Sequence, residues 1–84
     1  VAAVNYLFSE KEEEISYQYW LDAIQTNPYS PLLREEYMLS ALRLGLENYA
    51  EESLSDYREM VSDQQFQAFK LRFDETKEAF AIAF

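Results

Sequence analysis

Residues 16–28 read Ser16-Tyr17-Gln18-Tyr19-Trp20-Leu21-Asp22-Ala23-Ile24-Gln25-Thr26-Asn27-Pro28. Ser16, Trp20 and Ala23 lie four and three positions apart, so a helix brings a small residue, a large aromatic and a second small residue onto one face. The stretch has no glycine and no sustained apolar–polar alternation, which argues for helix over strand. Pro28 then ends it, because a proline pushes the residue before it out of the α region.

Working outward, Asn27-Pro28-Tyr29-Ser30-Pro31 is a loop, and Ser30-Pro31 restarts a helix with the order N-cap, then proline at the first helical position. Gly45 and Asn48 bracket the next break, since either residue tolerates the left-handed backbone that closes a helix. A further helix is predicted over about 49–61, and Ser62-Asp63-Gln64-Gln65 has capping-box spacing that opens a last helix. Upstream, Ser9 and Glu12 have the same spacing and predict a break between a helix over 1–8 and one running to about Thr26. The expected fold is all-α, with about five helices joined by short loops as antiparallel helical hairpins.

Sliding the chain along itself by 37 residues sets Leu7 on Leu44, Ser16 on Ser53, Trp20 on Tyr57, Ala23 on Met60 and Ile24 on Val61. The small–aromatic–small pattern followed by Pro28 resembles the second helix of a tetratricopeptide repeat, and Ser53, Tyr57 and Met60 repeat it loosely. Val4 and Leu7, and Tyr37, Ala41 and Leu44, correspond to the first helices. The resemblance covers about 1–65, with repeat 1 over about 1–28, repeat 2 over about 31–62, and residues 62–84 as a capping helix. It departs from the family in length, in the large Met60, in Gln65 where a second proline is expected, and in Tyr37 where the family has tryptophan. The Asn27–Ser30 junction and the second hairpin also resemble terminal repeats of proteins from Bacteroidetes-type bacteria. The resemblance implies a TPR-like α-solenoid that binds a protein or peptide along its concave face. Position by position it points to Asn5, Glu35, Met38 and Leu42, with Arg34 and Leu46 nearby. Members with a carboxylate clamp hold peptide termini with Lys, Arg and Asn, and only Asn5 and Arg34 match that set here.

Composition narrows the classes. The 84 residues are 49% hydrophobic and 17% aromatic, with no cysteine and no histidine. Disulfides, thiolate nucleophiles and nearly all transition-metal sites are thereby removed, and stability rests on packing. Sixteen acidic and seven basic side chains give a net charge of −9, which opposes nucleic acid and anionic lipid. The opening apolar stretch is too short to span a bilayer, so no membrane insertion is expected. The chain starts on Val1 rather than Met, which leads us to expect further sequence upstream.

The remaining constellations favour binding over catalysis. Glu10, Glu12, Glu13 and Glu14 lack the Gly-turned loop of a calcium site and read as a solvated helix face. No phosphate-cradling Gly-rich loop and no base to activate a serine are present, so no cofactor, metal or catalytic residue is expected. Phe66, Phe69, Phe73, Phe80 and Phe84 share one face of the last helix, and Phe80 and Phe84 extend beyond what two hairpins cover, as a self-association surface would. Tyr29, between two prolines, is placed at the mouth of a groove. The expected partner is a protein or peptide with an apolar or basic segment, with a homodimer or a terminal cap of a larger repeat protein as the alternative.

Overall fold

The computed structural model describes the backbone of residues 2–81 and the side chains of residues 12–80. Four helices follow one another: α1 (Ala2–Thr26), α2 (Pro31–Arg43), α3 (Glu47–Met60) and α4 (Asp63–Ala81). The five-helix expectation is corrected at Ser9, where the backbone stays helical. A serine and a glutamate three positions on act as a cap only where the chain leaves the helix. Here no glycine or proline occurs before Pro28 to make it leave, and glutamate and lysine favour continuation. At 1.5 Å per residue α1 is a rod of about 37 Å, nearly the longest dimension of a molecule measuring 44 × 27 × 18 Å.

Each break has a local cause. The Asn27 N–H bonds back to Ala23 O at 2.9 Å, and Ser30 N–H to Asn27 O at 3.3 Å, closing the loop around Pro28 and Tyr29. Ser30 is extended (φ −89°, ψ 111°), and its side chain accepts the Leu33 N–H, with Pro31 at the start of α2. At the far end Gly45 adopts φ 78°, the left-handed region that costs a residue with a Cβ about 1–2 kcal/mol. Leu46 N–H then reaches Ala41 O at 2.9 Å and Gly45 N–H reaches Leu42 O at 3.1 Å, the paired bonds of a Schellman closure. Of the two candidates for this break Gly45 is therefore the stop, and Asn48 lies inside α3. Ser62 accepts the Gln65 N–H at 3.2 Å and opens α4 as its spacing predicts.

The core is centred on α2, which packs on α1, α3 and α4, while among the described residues α1 lies against α2 alone. Six consecutive residues, Tyr37 to Leu42, are buried, so this helix has no outer face at its midpoint. Around it α3 supplies Ala50, Leu54 and Tyr57, and α4 supplies Phe66, Phe69 and Phe73. From α1, half-buried Tyr17, Trp20, Leu21 and Ile24 close the other side. Phe66, Phe69 and Phe73 thus pack into this core, each ring contributing about 2–3 kcal/mol by leaving water. The hydroxyl of buried Ser40 donates to Glu13 Oε1 at 2.8 Å, and Arg43 reaches the same oxygen at 3.4 Å, which ties α1 to α2.

Candidate binding surfaces

The loop between α1 and α2 and the last turn of α3 meet at one end of the molecule. Between them opens a groove of about 510 Å³ lined by Pro28, Tyr29, Arg34, Asp56, Glu59 and Met60. Tyr29 is 85% exposed, in the loop that Pro28 and Pro31 flank. Arg34 rises from the first turn of α2 and forms part of the groove wall. One terminal nitrogen donates to Ser53 Oγ at 2.9 Å and the other to Pro28 O at 3.2 Å, and Asp56 stands 3.7 Å away. Its Nε is buried with no hydrogen-bond partner among the described residues. The guanidinium therefore fastens the loop to α3, a different task from clamping a ligand's terminus.

Elsewhere, residues of α2 and α4 line a smaller cleft of about 190 Å³, formed by Glu35, Gln65, Ala68, Phe69 and Arg72. Glu35 accepts a 2.6 Å hydrogen bond from the Tyr57 hydroxyl and faces Arg72 at 3.9 Å. Burial, and then the Glu35 carboxylate, push the Tyr57 phenol up to about 12. Tyr37 is pushed higher still, first by burial and then by its hydrogen bond with Tyr17, whose hydroxyl is 3.4 Å away. Both phenols are neutral at physiological pH; Tyr57 donates to Glu35, and in the Tyr17–Tyr37 pair either hydroxyl can donate. Glu35 is consequently an anchor for α3 as much as a cleft wall.

The residues expected to act together are thus split. Tyr29 and Arg34 share the loop-side groove, and Glu35 lies in the α2–α4 cleft. Met38 and Leu42 are 0% and 1% exposed and belong to the core, a correction to their placement on a concave face. The physical reason is the uncharged run from Tyr37 to Leu42, apolar but for Ser40, whose hydroxyl is satisfied by Glu13, and therefore suited to burial on all sides. Asn5 lies on α1 with its side chain outside the described residues, and Phe84 is outside them altogether. Phe80 is 38% exposed.

Sequence reasoning did not reach Asp56, Glu59 and Met60. Asp56 and Glu59 are three positions apart and so on one face of α3, a signal present in the chain. Their convergence with Tyr29 depends on how α3 returns beside the loop. Among the described residues no group of acidic side chains is placed to hold a metal ion, and no helix is long and apolar enough to cross a membrane. No protein-family model matches the chain, and neither a curated protein nor a solved structure matches it.

Proposed function

We propose that the chain is a peptide-binding scaffold of the tetratricopeptide-like kind, holding an extended segment of another protein rather than catalysing a reaction. The observation that carries this reading is the groove beside Tyr29: an aromatic ring 85% exposed in an open cleft whose lining combines apolar Pro28 and Met60 with charged Arg34, Asp56 and Glu59. An exposed aromatic backed by rigid loop geometry is a common anchor in protein recognition, since little side-chain entropy is lost when it is covered. The packing of α2 on its three neighbours supports the stacked-hairpin part of the reading, with α2 and α3 as the hairpin and α4 as the cap. Over the stretch expected to form the first repeat, α1 is one continuous helix rather than a hairpin.

The test is a displayed-peptide selection against the wild-type chain, followed by measurement of the selected peptides on Tyr29→Ala. Because Tyr29 is exposed and bonds to nothing in the core, the variant keeps its helicity, and the selected peptides are expected to lose at least about tenfold in affinity, the size of a modest hot spot. A selection that enriches nothing, or peptides indifferent to Tyr29→Ala, would contradict the reading.

A second reading has its own observation. Phe80, on the face that carries Phe66, Phe69 and Phe73, remains 38% exposed beyond the hairpin, as a terminal cap or self-association surface would leave it. Sedimentation of wild type beside Phe80→Ser separates the two: a dimer that dissociates in the variant favours self-association, and a monomer in both removes it.

A further inference from the structure

We propose that the groove beside Tyr29 receives a cationic side chain, lysine or arginine, from the bound peptide, and that Asp56 and Glu59 set this preference. The inference rests on the scaffold reading above and adds the chemistry of what is held.

Three observations converge. The first is the balance of charge at the groove. Asp56 and Glu59 present two carboxylates from the last turn of α3, both exposed. The groove's lining holds two carboxylates against one basic residue, Arg34, a net charge of −1. Arg34 approaches Asp56 only at 3.7 Å, while its terminal nitrogens are bonded to Ser53 Oγ and Pro28 O. Arg58, beside Glu59 in sequence, lies over the Phe66 ring, 5.2 Å from its centre. Glu59 makes no ion pair with any described residue.

The second is the unfinished end of α3. Helix α2 closes its last carbonyls through Gly45 and Leu46, whereas α3 passes directly into an extended Val61 (φ −132°, ψ 168°). No backbone N–H among the described residues returns to the carbonyls of Arg58, Glu59 or Met60. These acceptors add partial negative charge where Asp56, Glu59 and Met60 line the cleft.

The third is the apolar part of the lining. Pro28, Met60 and the Tyr29 ring offer apolar surface along which the methylene stem of a long basic side chain packs, and the ring face attracts its charged head. An acidic ligand would meet repulsion there, and a purely aliphatic one would bury the carboxylates without a partner.

Three fluorescein-labelled nine-residue peptides test this, alternating leucine with lysine, with glutamine or with glutamate, read by anisotropy. Two double variants remove two charges each: D56N/E59Q at the groove and E12Q/E78Q at exposed positions away from it. The lysine peptide is expected to bind wild type at least about tenfold more tightly than the glutamine peptide, with the glutamate peptide weakest. D56N/E59Q should lose about tenfold and E12Q/E78Q less than about twofold. Equal losses in the two variants would overturn the proposal by showing diffuse attraction to a chain of net charge −9. Equal binding of the lysine and glutamine peptides would overturn it while leaving the scaffold reading intact, as would display-selected peptides that need Tyr29 and carry no basic residue. Failure of all three peptides overturns it too, and an empty display selection beside that failure removes the scaffold reading as well.

Discussion

Tyr57→Phe removes one oxygen from the centre of the fold and leaves every ring contact in place. Tyr57 is fully buried, with Phe69 at 5.1 Å and Phe66 at 6.4 Å between ring centres, and phenylalanine preserves that packing. What is lost is the 2.6 Å hydrogen bond to Glu35, whose side chain is only 15% exposed and keeps Arg72 at 3.9 Å. A hydrogen bond to a charged group contributes about 1.5–3 kcal/mol, and the mostly buried carboxylate is left short of a donor. We therefore expect a loss of about 2 kcal/mol at neutral pH, from a total of about 4–13 kcal/mol for a domain of this size.

The same substitution changes the pH dependence. The folded phenol is raised from 10.0 to about 12, so folding favours its neutral form. That stability is fully present below pH 10 and is lost as pH rises from about 10 toward 12, where the unfolded chain releases the proton first. A shift of this size corresponds to about 3 kcal/mol across the window. Burial gives Tyr37 a loss of the same sign, so the variant should retain part of the alkaline decline and wild type should show the steeper one. Urea unfolding at neutral pH and at steps above pH 9 measures both effects. A variant with the wild-type midpoint and the wild-type alkaline slope would refute the role given to the Tyr57–Glu35 bond.

Other substitutions probe the architecture by the same assay. Met38→Glu, which the concave-face expectation would tolerate, buries a carboxylate at a site with 0% exposure and should cost more than about 4 kcal/mol, abolishing the cooperative transition at ambient temperature. Phe73→Ala empties a site that is 1% exposed and should cost about 3–5 kcal/mol, whereas Trp20→Ala, half-buried against α2, should cost about 2 kcal/mol. Gly45→Ala places a Cβ at φ 78° and should lose about 1 kcal/mol with unchanged urea dependence.

Much of the fold was legible because helix punctuation is local. Ser30-Pro31, Gly45 and Ser62 each act within a turn of themselves, and the bonds they make are the ones their chemistry predicts. Ser9 misled for the complementary reason: a cap needs the chain to leave the helix, and the spacing of Ser9 and Glu12 carries no information on that. The placement of Met38 and Leu42 came from family analogy, and it overrode a plainer signal in the uncharged run 37–42. Reading that run as a helix buried on all sides places it in the core without any analogy.

The proposed binding surface was less legible because its lining comes from separate elements. Tyr29 stands out in sequence by its proline neighbours, whereas Asp56 and Glu59 look like ordinary residues of a solvated helix face. Only the return of α3 beside the loop puts them in one lining with Tyr29. Arg34 likewise reads as a free cation in sequence, and the fold spends it on Ser53 and Pro28.

The central claim is that this stack holds a peptide in the groove beside Tyr29. Its most direct test is a map of backbone amide shifts during titration of the labelled-nitrogen chain with a peptide selected by display, with solution mass followed in parallel. The account expects a monomer throughout, with the largest shifts at Tyr29, Asp56, Glu59 and Met60. Shifts concentrated around Phe80 together with a doubling of mass would contradict it.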